Sequence, residues 1–478
     1  MPRAAAPARA RGRRGRHVAS RARARARAHA RGDVTAPQAA LLVVLLGALL
    51  LQALLPSRRV LIVTGGAALA SLASTLLGVA TTQRLLAEVP WDVLVILVTL
   101  GLLSQLLAAS RLFDRLAVAA TRLSGAEPFR VLLVFSIAMY LVSGVVNNLT
   151  ALVLVLPVLH VLLKLMGTRQ RYVSWLLGLL LVACNLGGAA TPIGDFPAIL
   201  LLGRGSMTFG GYLSRAAPAT LFALAVLLLV VGAVVRPAAG VPRDPVSARL
   251  TRAAMEALHR RVRADRRLLV PAAASLAAMV VAWLFLPAEL GVGPELVCWL
   301  GTGAALLMAR RLGERLARTG LDIEAVLFLL SLFVMVAAVR RTGLFEEVSR
   351  SLERLPVAPS LQLVAFLVLA GVLTGLFSAG PSMAALLDVA ESLAERLPGP
   401  AVYVGLALSV CAGSSLFLTA ATSGPLAQAL TERADLRDLD GKPIRFGFFD
   451  FLPAGLLSFA VIQAVAIAYA LLAVWAGR

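Results

Sequence analysis

The sequence has few charged residues, few cysteines and few histidines, and each scarcity excludes a class of protein or site. Charged residues make up 15% of the 478 positions, whereas 59% are hydrophobic. A soluble protein of this size carries more surface charge, so the composition is that of a polytopic membrane protein. The three cysteines have unrelated spacings and the four histidines do not cluster. A disulfide framework or a structural zinc site is therefore not expected.

Motifs that would indicate an enzyme are also missing from the sequence. It contains no Gly-x-Ser-x-Gly elbow, phosphate-binding loop, His-Glu-x-x-His pair or haem-attachment motif. We therefore expect a protein that is not an enzyme and that has no cofactor, apart from a sodium ion or proton that couples transport. A membrane-embedded enzyme or a gated channel that uses the same polar segments stays as an alternative.

The chain begins with a strongly basic stretch. Eleven arginines, in Arg-Ala and Arg-Gly runs, lie within residues 1–33. Low-complexity sequence of this kind predicts a disordered tail, which we assign to residues 1–38. No short apolar core with a small-residue cleavage site follows it, so we expect no secretory signal peptide. A start at Val18 or Val34 is one hypothesis for this stretch, and we expect no nucleic-acid partner.

Long apolar segments fill the rest of the chain. Two of them, 129–165 and 361–393, are too long for one span and carry small or polar residues near the middle, so each is predicted to be a helical hairpin. The other segments that are long enough, or nearly so, to cross a bilayer are 39–55, 60–79, 91–109, 173–203, 210–235, 268–286, 294–309, 322–339, 401–430 and 446–476. The predicted fold class is an all-α polytopic membrane protein.

The second half of the sequence repeats the first. Asp92 and Glu324, each at the start of an apolar helix, are 232 positions apart, and Ala190-Thr191 lies 231 positions before Ala421-Thr422. A nearly constant offset predicts two repeats of about five transmembrane helices, each with a re-entrant hairpin and a broken helix. The repeats are assigned to 39–235, with its broken helix at 173–203, and to 268–478, with its broken helix at 401–430.

The distribution of arginine predicts the orientation. Lys and Arg favour cytoplasmic loops, and the linker 236–267 carries nine arginines, so we place it in the cytoplasm. The two repeats then start on opposite sides and are inverted. The first hairpin is predicted to open to the cytoplasm and the second to the outside. We expect the protein to lie in a lipid bilayer, in a bacterial inner membrane.

The first broken helix contains the run NLGGAATPIGDFP. Irregular backbone at membrane depth is tolerated only where it is buried in protein or lines a wet cavity. Gly188 and Gly194 free the backbone and Pro192 removes a hydrogen-bond donor. Thr191 adds a hydroxyl and Asp195 a carboxylate, which together suit a sodium ion. Asp195 could instead carry a proton, or could serve only as the N-cap of the next helix.

Adjacent amides mark the tip of the first hairpin, where Asn147, Asn148 and Thr150 follow a Ser-Gly pair. Polar groups at membrane depth need partners, because an unsatisfied one is costly. These side chains offer carbonyl oxygens to a cation and amide N–H groups to an anion. Alternatively, Asn147 and Asn148 cap the two hairpin helices, and both roles are compatible.

The second hairpin tip and the second broken helix are rich in hydroxyl groups and contain no acid. They suit an oxyanion held by hydroxyls and helix N-termini, or a cation held by carbonyls. Close packing of small residues is the competing interpretation of Gly413–Ser415. Asp388 and Glu391, further along the hairpin, are expected near the membrane surface. The candidate binding residues here are Ser378, Gly380, Ser382, Thr422 and Ser423.

With these motifs the chain resembles the ion transporter superfamily of divalent-anion/sodium symporters, citrate permeases, arsenite permeases and certain sodium/proton antiporters. The run GGAATPIGDFPAI at 187–199 resembles its Gly-Gly-x-x-Thr-x-Ile-Gly-[Asp/Thr]-Pro-Pro-Asn signature, and the tip Asn147-Asn148-Leu-Thr150 resembles its Ser/Asp-Asn-x-Thr motif. Ala198 replaces the closing Asn, and the second tip reads Ser-Ala-Gly-Pro instead of Ser-Asn-Thr. The dicarboxylate pattern is therefore incomplete, which leaves open a smaller anion or a cation/proton exchanger.

The resemblance implies a homodimer in which the hairpins and broken helices form a moving transport domain beside a scaffold. It implies elevator-like transport of a small organic or inorganic ion, with Ser378 in the binding site. A coupling sodium ion would lie at Asn148, Thr150, Thr191 and Asp195. We therefore predict a secondary transporter of an anion driven by sodium or protons, and the alternative is a sodium/proton antiporter that uses Asp195.

Overall fold

The computed structural model describes residues 35–55, 58–241, 249–251, 253–255, 264–286, 292–354, 356–377, 379–421 and 423–477. In chain order its helices are α1 Ala36–Leu54, α2 Arg59–Leu76, α3 Thr82–Ala87, α4 Trp91–Ala109, α5 Leu112–Ser124, α6 Pro128–Ser143, α7 Asn148–Met166, α8 Gln170–Ala190, α9 Phe196–Gly203, α10 Phe209–Val230, α11 Arg266–Phe285, α12 Pro294–Met308, α13 Arg311–Thr319, α14 Ile323–Arg340, α15 Leu344–Glu353, α16 Pro359–Phe377, α17 Ala379–Ala394, α18 Gly399–Ser414, α19 Gly424–Arg433 and α20 Phe448–Ala476. The first helix thus begins three residues before the predicted position 39.

Many of these helices are long and apolar. Within the described residues, nine have the length and composition to span a membrane, namely α2, α4, α7, α8, α10 with its π-helical continuation to Val235, α11, α14, α16 and α20. The shorter apolar helices α1, α6, α12 and α18 accompany them. The predicted all-α polytopic fold class is confirmed, and every apolar segment read from the sequence corresponds to a helix or a pair of helices.

Polar side chains cap the starts of several helices. Glu127 accepts hydrogen bonds from the first N–H groups of α6, and Thr208 accepts one from the first turn of α10. Asp265 and Asp322 do the same for α11 and α14. The N–H groups at a helix start have no partner inside the helix, so such caps fix where an apolar helix begins.

Four interruptions divide the segments that the sequence marked as irregular. Residues 144–147 separate the two helices of the first hairpin, and in the second hairpin α16 ends at Phe377 and α17 begins at Ala379. Residues 191–195 separate α8 from α9, and 415–423 separate α18 from α19. Each interruption falls in the polar or small-residue run from which it was predicted.

The order and packing of the helices repeat. Helices α11 to α20 follow the same order of long and short elements as α1 to α10. Helix α2 packs against α14 while α12 packs against α4, and α9 packs against α17 while α19 packs against α7. In each of these two pairs, one contact is the other with the halves exchanged, whereas the contact of α16 with α1 has no such counterpart among the larger contacts of the described residues. The opposite orientation of the repeats in a membrane stays a prediction.

The helices pack in two groups. We call α1–α4 and α11–α14 the frame group, because these helices pack mainly against one another. We call α6–α10 and α16–α20 the hairpin group, which contains both hairpins and both broken helices. The groups meet where α9 packs on α4, where α17 packs on α14 and where α16 packs on α1.

Glycines allow the closest contacts inside the hairpin group. A Cβ atom on Gly187 of α8 would lie 2.2 Å from the carbonyl oxygen of Tyr140 in α6, and one on Gly413 of α18 would lie 2.2 Å from the carbonyl oxygen of Gly371 in α16. Backbone atoms cannot move aside as a flexible side chain can. Gly413 therefore serves close helix packing, which was the competing interpretation of its segment.

We expect Gly187→Ala to destabilise the protein. The added methyl group would overlap the Tyr140 carbonyl, and overpacking of this kind costs about 1–3 kcal/mol. Thermal unfolding of the detergent-purified variant measures the loss. Gly101→Ala in α4 is the matched control, because a Cβ atom there meets nothing within 4 Å. Equal unfolding temperatures for the two variants would contradict the proposed contact.

Candidate functional site

The first hairpin tip and the first broken helix meet at two glycines. A Cβ atom on Gly188 would lie 2.6 Å from Oδ1 of Asn148 and 2.9 Å from Cβ of Asp195. A Cβ atom on Gly194 would lie 2.5 Å from the carbonyl oxygen of Ser143. Because neither glycine has a side chain, the amide and the carboxylate pack against the same stretch of backbone. The structure thus brings together four of the predicted site residues.

A buried hydroxyl orients the amide of Asn148. The Ser143 hydroxyl lies 2.5 Å from Oδ1 of Asn148 and 2.8 Å from the carbonyl oxygen of Cys184. With its oxygen engaged by Ser143, the Asn148 amide has its NH₂ group free to donate. Nδ2 of Asn148 and Cβ of Asp195 lie 3.2 Å and 2.9 Å from the position of a Cβ atom on Gly188, so the amide and the acid are neighbours. An amide donor and a carboxylate therefore stand side by side.

Hydrogen bonds satisfy the broken backbone at this junction. The Thr191 hydroxyl donates to the carbonyl oxygen of Gly144 at 2.7 Å and accepts from the N–H of Gly194 at 3.2 Å. Oδ1 of Asp195 accepts from the N–H of Phe196 at 2.9 Å, at the start of α9. In the same way, Oδ1 of Asn147 accepts from the N–H of Thr150 at 2.8 Å. The capping roles considered for Asn147 and Asp195 are thus present.

A cavity of about 190 Å³ lies between the frame group and the hairpin group. Both hairpin tips and both broken helices contribute to its wall, and so do α1, α2, α4 and α14 of the frame group. The predicted site residues Asn147, Asn148, Gly194, Asp195 and Gly380 line it. The remaining lining residues are Gln52, Arg59, Leu97, Leu149, Phe196, Ile199, Asp322, Ala325, Phe328, Leu329, Leu376, Phe377, Ala379, Pro381, Thr419, Ala421 and Pro425.

Among the described lining residues three side chains are charged, and the others are apolar apart from the amides and the hydroxyl of Thr419. Asp195 belongs to the hairpin group, and Arg59 and Asp322 to the frame group. Asp322 caps α14 through a 3.0 Å hydrogen bond from the N–H of Ala325. Two carboxylates and one guanidinium leave the wall with an excess of one negative charge when all three are ionised.

Asp195 also lines a second, smaller cavity. This cavity measures about 10 Å³ and lies at the crossing of the two broken helices, where Tyr212, Cys411 and Ser414 also contribute to its wall. A volume of this size is close to that of one water molecule. The carboxylate of Asp195 therefore stands between the large cavity and the interior of the hairpin group.

Some predicted residues lie away from the large cavity. Thr150 is in the first turn of α7, and Pro192 is buried within the first break. Gly188 and Thr191 hold the junction together without lining the cavity. Ser382 and Ser423 are buried and do not line it either. Two further candidates, Ser378 and Thr422, lie outside the described residues.

Other residues of the site were not found from the sequence. Gln52, Arg59 and Asp322 line the cavity from helices far from the hairpin motifs. The sequence did not single out Arg59, since arginines at a helix end, here Arg58 and Arg59, are usual for a membrane protein. Asn185 donates from Nδ2 to the carbonyl oxygen of Ser414 at 3.2 Å and so ties the two broken helices together. The sequence feature that could have identified Asn185 is its position at the start of the glycine-rich run.

Comparison with known proteins identifies the family. Two overlapping stretches, residues 40–409 and 292–477, match the citrate transporter family. This chain belongs to that family. The resemblance to ion transporters inferred from the two motifs is therefore confirmed, and the chain is an integral membrane transporter.

Individual relatives agree with the family assignment. An uncharacterized transporter of Mycobacterium tuberculosis (strain H37Rv) is 27% identical over 394 residues, which cover 81% of this chain and 87% of the relative. The magnetosome protein MamN of Paramagnetospirillum magneticum is 31% identical over 372 residues, which cover 77% of this chain and 82% of the relative. The crystal structure of the YdaH transporter of Alcanivorax borkumensis aligns with a TM-score of 0.45 at 15% identity, over 85% of this chain and 88% of that one.

This citrate transporter family member also has an ionic cluster that joins its two groups of helices. Arg340, at the end of α14, contacts both carboxylate oxygens of Asp388 in α17, with Nε 2.7 Å from Oδ2. Nη1 of Arg204, just after α9, lies 3.1 Å from Oδ1 of Asp388 and 3.6 Å from Glu391. The Asp388 side chain is only 13% exposed. Asp388 thus connects frame and hairpin helices and does not line the cavity.

We expect Arg340→Gln to lower stability by about 2 kcal/mol, because it leaves the largely buried Asp388 with one cationic partner instead of two. Arg341→Gln is the matched control. Arg341 is the next residue, but it pairs with Glu88 after α3 and its side chain is 46% exposed. Such a pair contributes about 0–1 kcal/mol. Thermal unfolding in detergent compares the two variants, and an equal or larger loss in Arg341→Gln would refute the ranking.

Proposed function

We propose that this transporter moves a small organic or inorganic anion across the membrane and couples its movement to sodium or protons. The observation that carries the proposal is the cavity between the two groups of helices. It combines the Asp195 carboxylate and the Asn148 amide on one wall with the Arg59 guanidinium on the other. A cation and an anion can both find partners there.

The charges of the wall supply a physical reason for coupling. With Asp195, Asp322 and Arg59 ionised, the wall repels an anion, and two like charges 4 Å apart at an effective dielectric constant of 20 repel by about 4 kcal/mol. A sodium ion or a proton on Asp195 removes the excess negative charge. The coupling ion therefore binds first and the anion second.

Asp195 and Asn148 carry the coupling ion in this proposal. Carboxylate and amide oxygens are ligands that sodium accepts, and the Thr191 hydroxyl and the Ser143 carbonyl stand next to them. A proton would need only the carboxylate. Thr150 was predicted to lie in the sodium site; in this proposal it contributes through its backbone N–H, which donates to Asn147 and keeps the tip in place.

Movement of the hairpin group against the frame group would complete the cycle. The cavity has hairpin tips on one side and frame helices on the other, so a displacement of one group carries the bound ions past the other. This is the elevator-like mechanism implied by the resemblance, and we include in it a homodimer held by the frame groups.

A sodium/proton antiporter is the second candidate. It is favoured by the position of Asp195 between the large and the small cavity, where the carboxylate can exchange one cation for another. The excess negative charge of the wall also attracts a cation when no anion is present. In this mechanism Asp195 alternates between a proton and sodium.

Flux measurements on purified protein in proteoliposomes separate these functions. A thermal-shift screen against sodium, lithium, citrate, succinate, sulfate, phosphate and arsenite first selects the solutes that bind the folded state, because binding stabilises it. A symporter accumulates an anion only under an imposed sodium or proton gradient. An antiporter moves protons on addition of sodium without any anion. If the protein accumulates no anion under a sodium gradient or under a proton gradient, the main proposal is contradicted.

We expect Asp195→Asn to abolish coupled flux while the protein still folds. Asn keeps an oxygen that can accept from the N–H of Phe196, but it can neither take up a proton nor supply a full negative charge to sodium. Accumulation of the anion should fall by about tenfold or more, since the lost charge interaction is worth several kcal/mol.

The control for this variant is Asp265→Asn. Asp265 caps α11 just as Asp195 caps α9, but it lies outside the cavity. Its replacement should leave flux unchanged. Wild-type accumulation in Asp195→Asn, measured at equal amounts of reconstituted protein, would remove Asp195 from the mechanism.

A further inference from the structure

Arg59 differs from the other charged residues of the cavity. It begins α2 of the frame group and is half-buried. Among the described residues that line the cavity, it is the one cation. No ion pair joins it to Asp195 or Asp322 in the described part of the chain, where Asp322 caps α14 and Asp195 caps α9. Its guanidinium is therefore available to a ligand.

We propose that Arg59 binds the anionic group of the substrate from the frame side of the cavity. This inference rests on the proposed function and adds the residue that recognises the anion. The guanidinium donates several N–H groups in one plane, which match the two oxygens of a carboxylate or of another oxyanion. The ligand class is thus a small oxyanion with at least two oxygens free to accept.

The opposite wall cannot supply the same interaction. The hairpin tips offer amides and backbone groups, and the acid there, Asp195, repels an anion. The described lining residues of the second tip are Leu376, Phe377, Ala379, Gly380 and Pro381, whose side chains carry no charge. Hydrogen bonds from a charged donor are about twice as strong as those from a neutral one. Arg59 therefore dominates recognition of the anion.

The second hairpin tip is held close to the same wall. Nε2 of Gln52, in α1, donates to the carbonyl oxygen of Phe377 at 3.3 Å, and both residues line the cavity with Arg59. An anion bound to Arg59 is thus confined between a frame helix and the tip. Once the hairpin group moves relative to the frame group, the anion moves with it and loses its contact with Arg59. Arg59 therefore strengthens binding of the anion only when the cavity is open to one side of the membrane.

This asymmetry separates Arg59 from the coupling residues. Loss of Asp195 removes the dependence on sodium or protons, whereas loss of Arg59 weakens binding of the anion and does not weaken binding of the cation. A cation exchanger would gain from the loss of Arg59, because a guanidinium in the cavity repels a cation. The direction of the effect therefore distinguishes an anion site from a cation site.

The test is the kinetics of anion uptake by Arg59→Gln, Arg59→Lys and the control Arg58→Gln in proteoliposomes. Arg58 is the preceding residue, is exposed and does not line the cavity. We expect Arg59→Gln to raise KM for the anion by about tenfold to a hundredfold, the range for a lost hydrogen bond to a charged group. Arg59→Lys should lie between it and the wild type, and Arg58→Gln should match the wild type. The sodium or proton concentration for half-maximal rate should not rise, because the loss of a guanidinium removes a repulsion from the coupling cation.

Measurements in right-side-out and inverted membrane vesicles test the sidedness. The rise in KM should occur in one orientation and be much smaller in the other. If Arg59→Gln unfolds, the intermediate KM of the charge-preserving Arg59→Lys still tests the site.

Equal KM values for the wild type and both Arg59 variants would overturn the Arg59 site and leave anion transport intact. A wild-type protein that moves no anion would overturn the proposed function itself. The two failures are thus distinct.

Discussion

The hydrogen bond from the Thr191 hydroxyl to the carbonyl oxygen of Gly144 is the contact on which the rest of the site depends. A helix that breaks in an apolar environment leaves N–H and carbonyl groups without partners, and each unsatisfied group there costs several kcal/mol. Thr191 serves both breaks at once, because it donates to the hairpin tip and accepts from the N–H of Gly194. The tip and the broken helix therefore satisfy each other and fold as one unit.

The residues that hold this junction together are also the ones proposed to bind the coupling ion. Gly188 and Gly194 let the two irregular segments approach to contact distance, and that approach places Asn148 beside Asp195. Ser143 then fixes which end of the amide faces the carboxylate. Helix capping and ion binding need not compete, since a cap uses one oxygen of a carboxylate and holds the group in place for its second role.

The sequence predicted the interruptions well because local chemistry determines them. Clusters of Gly, Pro and Asn favour a break in an apolar helix, so the breaks at 144–147 and 191–195 fall within the predicted runs, although α8 continues through Asn185, Gly187 and Gly188 to Ala190. The cavity depends on packing between distant helices and could not be predicted in the same way. Arg59 and Asp322 stand on helices that carry no motif, and only the fold brings them opposite the tips. Conversely, Ser382 belongs to a predicted motif but is buried away from the cavity.

The two repeats place their acidic residues differently, and this difference determines which acid lines the cavity. The hairpin acid of the second repeat, Asp388, is bound by Arg340 and Arg204 outside the cavity. In the first repeat, Asp195 has no such partner among the described residues and faces the cavity. The two halves thus have a similar order of helices, but only the first has a hairpin-group acid that lines the cavity among the described residues. Asp195 is thus left for the proposed coupling ion, while the ionic cluster at Asp388 holds the second hairpin against the frame.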